Sequence, residues 1–169
     1  MQTLFKIACF LICIILFVGA KEKGYDRIDV YKNGLAKVYK GNCIGYINTQ
    51  GEEVIKCRYH FISDFIAGMA KVMIDKKFGY INIQDEVIVP IKYDYIGPFK
   101  KGLAQVKIKG QFGVINSLGE EIIPTIYDEI GEFNLKGEAK VRIKKLEGKI
   151  NCEGEEVVPV YKNYAIEEE

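Results

Sequence analysis

The sequence predicts an all-β fold, built as a tandem array of four repeats of about 34 residues with three strands each. The first observation is a tyrosine-led motif that recurs at a fixed interval, as Tyr25-Asp26-Arg27-Ile28, Tyr59-His60-Phe61-Ile62, Tyr93-Asp94-Tyr95-Ile96 and Tyr127-Asp128-Glu129-Ile130. The second is an apolar–polar alternation of period two after each motif, and the third is the absence of helical periodicity beyond the N-terminal segment 1–20. A period in this range indicates stacked units that cannot bury their apolar faces alone. We expect an open twisted array, with a small closed propeller-like ring as the alternative.

The N-terminal segment 1–20 differs in composition from the rest of the chain. Ile7 to Val18 is an apolar run that follows a single charged residue, Lys6, and Val18-Gly19-Ala20 offers small residues for cleavage. The run is shorter than the roughly 20 residues that a membrane span needs. We therefore expect residues 1–20 to be a secretory signal peptide, with an uncleaved N-terminal anchor as the alternative. The mature protein would be periplasmic, on the cell surface or secreted, without membrane insertion.

The remaining chain divides by its period. A short polar lead-in at 21–24 precedes the repeats, which we place at 25–58, 59–92, 93–126 and 127–161, and an acidic tail follows at 162–169. Removal of residues 1–20 leaves equal numbers of basic and acidic side chains, because Lys6 is the only charge removed. A net charge of zero argues against nucleic acid as a partner, since phosphate binding requires a basic stripe. It also does nothing to prevent self-association.

Strand one of each repeat follows an aromatic residue and a Gly-x-Ala motif. The aromatic positions are Tyr31, Phe65, Phe99 and Phe133, and the strands read Ala36-Lys37-Val38, Ala70-Lys71-Val72, Ala104-Gln105-Val106 and Ala139-Lys140-Val141. The fourth copy comes one residue late, because Asn134-Leu135-Lys136 contains an insertion. Alternation of small or branched residues with polar ones predicts a half-buried strand.

Strand two contains a repeated glycine and ends at an asparagine, at Gly45 to Asn48, Gly79 to Asn82, Gly113 to Asn116 and Gly148 to Asn151. The asparagine begins a turn that ends in Gly51, Asp85, Gly119 or Gly154, which predicts a three-residue hairpin loop with a bulge. Strand three follows, and we expect Pro90, Pro124 and Pro159 to end it, because proline cannot donate to the ladder.

The loop sets the expected register of the hairpin. Counting back from Thr49-Gln50-Gly51 places Asn48 opposite Glu52, Gly45 opposite Ile55, and Cys43 opposite Cys57. Directly opposed Cβ atoms lie close to the distance that a disulfide spans. Cys43 and Cys57 are therefore a candidate disulfide, with unpaired thiols as the alternative, while Cys152 is expected to be exposed. The repeated glycines, Gly45, Gly79 and Gly113, are interpreted as notches for an aromatic side chain such as Phe65 or Phe99 of a neighbouring repeat.

The polar residues that could carry chemistry occupy repeated positions. His60 takes the place of Asp26, Asp94 and Asp128, which we expect to cap their own turns rather than bind calcium, because one carboxylate per repeat is too sparse. A Cys57–His60 nucleophile pair lacks a visible orienting group and oxyanion site. The tyrosines Tyr59, Tyr93 and Tyr127 are expected to pack, which leaves Tyr39 and Tyr164 as the candidates for exposure.

Lysines recur on the polar face of strand one and in the turn after it. They are Lys37, Lys40, Lys71, Lys76, Lys77, Lys107, Lys109, Lys140, Lys144 and Lys145. They could form a ladder for an acidic partner, but we expect a solvated face balanced by nearby glutamates, since the potential of a patch depends on the summed charge.

These motifs together resemble the WG repeat (also called KWG repeat) of bacterial proteins. The resemblance rests on the Gly-Leu-Ala-x-Val strand, the aromatic-glycine pairs Phe78-Gly79 and Phe112-Gly113, and Gly119-Glu120-Glu121-Ile122-Ile123-Pro124 with Tyr127-Asp128. The signature tryptophan is replaced by Ile44, Phe78, Phe112 and Glu147. The resemblance implies an all-β array, often exported, without a general enzymatic activity, a cofactor or catalytic residues to transfer.

The sequence therefore favours an exported, non-catalytic module that binds or scaffolds a protein or glycan and uses no cofactor or metal. A self-associating structural component of the envelope is one alternative, and a cysteine-dependent hydrolase is another. The identity of the ligand, the oligomeric state and the closure of the array are not determined by these patterns.

Overall fold

A computed structural model describes residues 24–160, and within them all regular structure is β. Sixteen strands form four antiparallel sheets of four strands, none of which closes into a barrel, so the predicted all-β repeat fold is confirmed. The first sheet contains β1 (Arg27–Ile28), β2 (Leu35–Lys40), β3 (Cys43–Asn48) and β4 (Glu53–Tyr59). The second contains β5 (Phe61–Ile62), β6 (Met69–Ile74), β7 (Lys77–Asn82) and β8 (Val87–Tyr93).

The other two sheets repeat the same order of strands along the chain. The third contains β9 (Tyr95–Ile96), β10 (Leu103–Ile108), β11 (Gln111–Asn116) and β12 (Glu121–Tyr127). The fourth contains β13 (Glu129–Ile130), β14 (Glu138–Ile143), β15 (Leu146–Asn151) and β16 (Glu156–Val158). The signal peptide and the acidic tail predicted from the sequence lie outside the described residues.

Each sheet has one strand more than the three that we expected. The extra strand is a two-residue segment within the tyrosine-led motif, and it pairs with strand one of its own repeat; Ile28 faces Val38, and Ile130 faces Val141. A segment this short cannot show a period-two pattern, which explains why the sequence did not reveal this strand.

The described residues divide into two compact units, one of residues 24–75 and 80–87 and one of residues 76–79 and 88–160. In the first unit, Ala36, Val38 and Ile47 form a buried cluster against which Tyr25, Ile28 and Tyr31 pack. In the second, a larger cluster draws on two successive sheets, with Val114, Ile123 and Tyr127 from the third sheet and Ile130, Ala139, Val141, Ile150 and Val160 from the fourth repeat. The core residues are the apolar positions of strands one to three, which every repeat supplies.

The hairpin loops between strands two and three form as predicted. Asn48 Oδ1 accepts from the backbone N–H groups of Gln50 and Glu52, and the N–H of Gly51 donates to Asn48 O at 2.9 Å. Asn48 N–H donates to Glu52 O at 2.9 Å, so the predicted Asn48–Glu52 pairing is confirmed. The same contacts recur at Asn82, Asn116 and Asn151.

The register beyond the loop differs from the prediction, because strand three bulges. Tyr46 faces Ile55 and Ile44 faces Tyr59, so two steps along β3 correspond to four along β4. Gly45 is therefore not opposite Ile55 as we expected. The third sheet repeats this bulge, with Phe112 facing Tyr127 and Val114 facing Ile123.

Two of the three prolines also lie elsewhere than predicted. Pro90 is inside β8 and Pro124 is inside β12, while only Pro159 follows the end of its strand, β16. Pro124 falls in the bulged stretch of β12, an outer strand of its sheet, where no ladder hydrogen bond is required of it. In the second and third sheets the proline therefore lies inside strand three, and only in the fourth does it follow the end of the strand as predicted. Within residues 24–160 there is no helix able to cross a membrane.

Candidate functional site

The Asp and His residues of the tyrosine-led motif cap a hairpin turn further along the chain. Asp26 Oδ2 accepts from Gly41 N–H at 2.6 Å, Asp94 Oδ2 accepts from Lys109 N–H at 2.7 Å, and Asp128 Oδ2 accepts from Lys144 N–H. These turns join strands one and two of the same sheet. The expectation that each side chain caps its own turn was therefore wrong, although the role is indeed that of a cap.

His60 performs the same role with a different atom. Its Nδ1 accepts from Asp75 N–H at 3.1 Å, and Asp75 has a positive φ of 47° at the turn. The carboxylate oxygen Asp75 Oδ1 lies 3.9 Å from Nδ1. His60 therefore occupies a structural position, as the alignment of the repeats predicted.

The cysteines within residues 24–160, Cys43, Cys57 and Cys152, are free thiols in the structure. The Cys57 thiol donates to the backbone oxygen of Cys43 at 3.1 Å, and burial raises the pKa of Cys57. Because β4 bulges here, the simple opposition of Cys43 and Cys57 on which the disulfide rested does not hold. Oxidation of the pair stays a prediction, which a thiol count on the unfolded, unreduced protein tests: one free thiol outside the signal segment with the bond, three without. Cys152 is partly exposed, and its thiol lies 3.2 Å from Glu153 Oε1.

The repeated glycines admit the backbone of the bulged strand. A Cβ at Gly45 would lie 2.5 Å from Ile55 O and 2.8 Å from Cys57 N, and one at Gly79 would lie 2.5 Å from Val89 O. At Gly113 the nearest atom is Ile123 O, at 2.6 Å. The notch is real, but its occupant is the neighbouring strand and not an aromatic side chain, so that part of the prediction was wrong.

The aromatic side chains pack between repeats. The ring of Phe65 meets the ring of Tyr46 edge to face, with centroids 5.6 Å apart. Phe133 packs against the core of the second unit, and Phe65, Phe99 and Phe133 are all half-buried. Tyr59, Tyr93 and Tyr127 are at most 3% exposed, and burial raises the pKa of each hydroxyl. These tyrosines are parts of the core and not of a binding platform.

Tyr39 is only half-buried, but it is not a free aromatic surface. The guanidinium of Arg27 lies 3.7 Å from the centre of its ring, and its hydroxyl donates to Asp29 Oδ2 at 2.9 Å. Tyr164, the other tyrosine expected to be exposed, lies outside the described residues.

The polar face of strand one is a contact with the following repeat. Lys37 Nζ donates to Ile62 O at 2.9 Å, and Gln105 Nε2 donates to Ile130 O at the same distance. The Lys37 side chain is only 18% exposed, and burial lowers the pKa of Lys71 at the equivalent position. The expectation of a solvated lysine face was therefore wrong for Lys37, which like Gln105 contacts the following repeat, whereas Lys140 is exposed as expected.

A polar cluster around Asp85 was not predicted from the sequence. Asp85 replaces the loop glycine and keeps its positive φ of 64°. Its carboxylate accepts from the Tyr59 hydroxyl at 2.7 Å and pairs with Arg58 at 3.0 Å, and the Asp85 side chain is only 10% exposed. The departure of Asp85 from the repeat pattern was visible in the sequence, but its partners lie at the end of the preceding sheet, far from it along the chain.

Exposed aliphatic side chains occur in the loop between the short strand and strand one, here called the display loop (residues 29–34, 63–68, 97–102 and 131–137). Val30 is 82% exposed, Ile66 is 78% exposed and Leu135 is fully exposed. Asn33-Gly34, Ala67-Gly68 and Lys101-Gly102 each have two successive positive φ values, as a type I′ turn requires. The insertion in the fourth repeat gives a longer loop instead, in which Asn134 Oδ1 accepts from Lys136 and Glu138 N–H.

The last sheet carries an open polar groove of about 300 Å³, here called the terminal groove. It is lined by Gly131, Glu132, Asn134, Glu138, Ala139, Lys140 and Lys149. Lys140 and Lys149 face each other directly across β14 and β15, at the positions that Lys37 and Tyr46 occupy in the first sheet. The Lys100 ammonium lowers the pKa of Glu132 on the rim of the groove.

No group of three or more His, Cys, Asp or Glu side chains in residues 24–160 is arranged to hold a metal ion. Across the same residues, no buried side-chain polar atom lacks a hydrogen-bond partner.

A series of small antiparallel sheets, joined through repeated side-chain to backbone contacts, defines a tandem β-repeat protein. The family model described as WG containing repeat matches residues 44–78, 78–111 and 112–146, which is more than half of the chain. The chain therefore belongs to the WG repeat family. Each match begins at the residue before a close-packed glycine, at Ile44, Phe78 or Phe112. No match was found among curated proteins.

Proposed function

We propose that the protein is an exported, non-catalytic scaffold that binds another protein through its display loops. The observation that carries the proposal is the pair of strongly exposed aliphatic side chains Ile66 and Leu135, in equivalent loops of repeats two and four. Exposed apolar groups on ordered loops are typical of interaction sites. They favour a protein surface over a glycan, because sugars are bound by exposed aromatic rings and the strongly exposed apolar side chains of these loops are aliphatic. The aromatic residues Phe61 and Tyr95, in the short strands, are 41% and 46% exposed.

The geometry of the loop supports this use. Ile66 and Met69 exchange backbone hydrogen bonds at 2.9 and 3.0 Å, so the backbone of the display loop is fixed by its own turn. A side chain presented on a fixed backbone loses less conformational entropy when it binds.

The non-catalytic part of the proposal is supported by the use of the ionisable groups. Catalytic side chains must be able to reach a substrate in the correct protonation state. Asp26, Asp94 and Asp128 accept from backbone N–H groups, and His60 does so through the nitrogen that would otherwise act as a base. Export is supported by the sequence of residues 1–20 alone.

The test is capture of envelope proteins by the tagged protein, purified from cells that express the full sequence. We expect a partner whose capture falls at least tenfold in the double variant Ile66→Ser/Leu135→Ser. Leu118→Ser is the matched control, because Leu118 is 70% exposed in a loop between strands two and three and should leave capture unchanged.

Two results would contradict the proposal. One is capture that is equal in the wild type and in Ile66→Ser/Leu135→Ser. The other is hydrolase turnover by the purified protein that disappears in Cys57→Ala or His60→Ala, which would favour the enzymatic alternative. Capture of a glycan on an array, with the same loss in the double variant, would keep the loops as the site but replace the class of ligand.

A further inference from the structure

The contact between successive repeats has two different faces, which the first compact unit shows in full. On one face, Lys37 donates to Ile62 O and the Tyr46 hydroxyl lies 3.5 Å from Ser63 O. On the other face are residues 62–65 of the next repeat, including Phe65, whose ring packs on Tyr46. Asp64 Oδ1 adds a contact of 3.8 Å to Lys37 Nζ.

The second compact unit repeats this contact with different side chains. Gln105, at the position of Lys37, donates to Ile130 O and to Gly131 O. Strand three of the earlier repeat is covered as well, because a Cβ at Gly154 of the later hairpin would collide with Ile122 O. Each repeat thus packs against strands one and three of the repeat before it.

In the last sheet, the face formed by strands one and three has no following repeat to cover it within the described residues. Val158 is 40% exposed, whereas Ile55, Val89 and Ile123 at equivalent positions are completely buried. Like charges directly opposite one another destabilise a strand pair, and Lys140 and Lys149 are such a pair. No carboxylate in residues 24–160 forms an ion pair with either lysine, although Glu132 and Glu138 line the same groove.

The first sheet carries the complementary face. Ile28, Asp29, Val30 and Tyr31 occupy the positions of Ile62, Ser63, Asp64 and Phe65. Val30 is 82% exposed and the Asp29 side chain is 42% exposed. This end offers a backbone carbonyl and an aromatic ring, both of which attract an ammonium group. The Asp29 carboxylate beside them already pairs with Arg27 at 3.2 Å and accepts from the Tyr39 hydroxyl.

We propose that the terminal groove and the exposed face of β16 bind the first sheet of a second copy of this chain. Lys140 would donate to Ile28 O of the second copy, as Lys37 donates to Ile62 O within one chain. Lys149 would lie against the ring of Tyr31 of that copy, in place of the Tyr46–Phe65 pair. This goes beyond the proposed function, because it uses neither Ile66 nor Leu135 and requires no other protein. Since the two faces differ, the contact is heterologous and produces rings or filaments.

The first test is the mass of the purified protein in solution, measured by light scattering over a hundredfold range of concentration. We expect the mass to rise with concentration in the wild type. Association should weaken at least tenfold in Lys140→Glu/Lys149→Glu. The matched control is Lys144→Glu/Lys145→Glu, which makes the same change of charge in the hairpin turn of the same sheet and should associate like the wild type.

The second test exchanges charge across the proposed contact. Val30→Lys places an ammonium where Asp64 stands in the second repeat, so this variant alone should associate more weakly than the wild type. A mixture of Val30→Lys with Lys140→Glu/Lys149→Glu should associate again. The unchanged groove of the first variant can bind the unchanged first sheet of the second, and the two altered faces carry opposite charges. A wild type that is monomeric at all concentrations would overturn the proposal, as would unchanged association in Lys140→Glu/Lys149→Glu or a mixture that fails to pair. If the wild type is a monomer and Lys140→Glu/Lys149→Glu lowers only its stability, the groove would instead be the binding site of residues 161–169 of the same chain.

Discussion

At the scale of the residue, Asp85 shows how one substitution in a repeated loop changes what the loop does. The other loops have glycine here, and in the third and fourth repeats that glycine passes close to backbone of the preceding repeat. Asp85 keeps the left-handed backbone and adds a carboxylate that accepts from Tyr59 and pairs with Arg58. The loop therefore contacts the preceding repeat through a side chain as well as through backbone.

The replacement Asp85→Ala should lower the free energy of unfolding by about 1–3 kcal/mol, since the buried Tyr59 hydroxyl loses its acceptor. The alanine side chain must also adopt a positive φ. Chemical denaturation measures the change, and Gln84→Ala, at an exposed neighbouring position, is the control. Equal stability of the two variants would contradict the role given to Asp85.

A second prediction concerns acid stability and Asp94. The hydrogen bond from the Lys77 ammonium, followed by that from Lys109 N–H, holds the pKa of Asp94 below its ordinary value. A carboxyl with a lowered folded pKa contributes stability above its unfolded pKa, and this contribution is lost as the pH falls through the folded pKa. The melting temperature of the wild type should therefore fall more steeply than that of Asp94→Asn between about pH 5 and pH 2. Parallel curves for the two proteins would show that Asp94 is not responsible.

At the scale of the element, the strand pair β11–β12 depends on the absence of a side chain at Gly113. A Cβ there would lie 2.6 Å from Ile123 O and 2.7 Å from Thr125 Cγ2, so Gly113→Ala must displace the bulged strand. We expect a loss of about 1–3 kcal/mol in the free energy of unfolding, as in other overpacked sites. Gly131→Ala is the matched control, because its Cβ would meet nothing closer than 3.5 Å, and it should unfold like the wild type.

The strands show how far the sequence could be interpreted. Strands one and two and their loops were predictable, because period-two alternation and Asn-x-x-Gly are local signals. The bulge of strand three was not predicted, because counting back from the loop assumes that each residue of one strand faces one residue of the other. Pro124 and Gly113 together did carry the signal for it: a proline that cannot pair and a glycine that admits the displaced backbone.

The partners of the capping residues could not be predicted from local patterns either, for a different reason. Asp94 was recognisable as a residue that caps a turn, but the turn it caps lies at Lys109, beyond the whole of strand one. The partner of such a side chain is decided by the pairing of the short strand with strand one. The candidate interaction surfaces were missed for the same reason, because the exposure of Ile66 or Val158 depends on which repeat lies beside it.

At the scale of the whole molecule, each repeat supplies the cover for its predecessor, and the last strand shows the consequence. Ile123 and Val158 occupy equivalent positions, but Ile123 is completely buried and Val158 is 40% exposed. Ile123→Ala should cost about 2–5 kcal/mol of unfolding free energy. Val158→Ala in dilute solution should cost less than about 0.5 kcal/mol.

Denaturation of both variants at low protein concentration makes the comparison. Repeating it at high concentration should raise the cost of Val158→Ala if a second copy covers this strand, because association stabilises the folded state. A Val158→Ala variant that is as unstable as Ile123→Ala in dilute solution would show that β16 is already covered within the monomer.

The matched segments of the family model and the sheets begin at different points of the repeat, and this affects how genes of this kind can change length. The matched segments begin at Ile44, Phe78 and Phe112, in the middle of a hairpin, whereas each sheet begins near its tyrosine-led motif. Because both series advance by the same period, an in-frame duplication of one period restores the same neighbours wherever its breakpoints fall. Recombination therefore needs no fixed boundary to add or delete one complete sheet, and gene copies that differ by whole periods should encode chains that fold as long as at least three repeats remain.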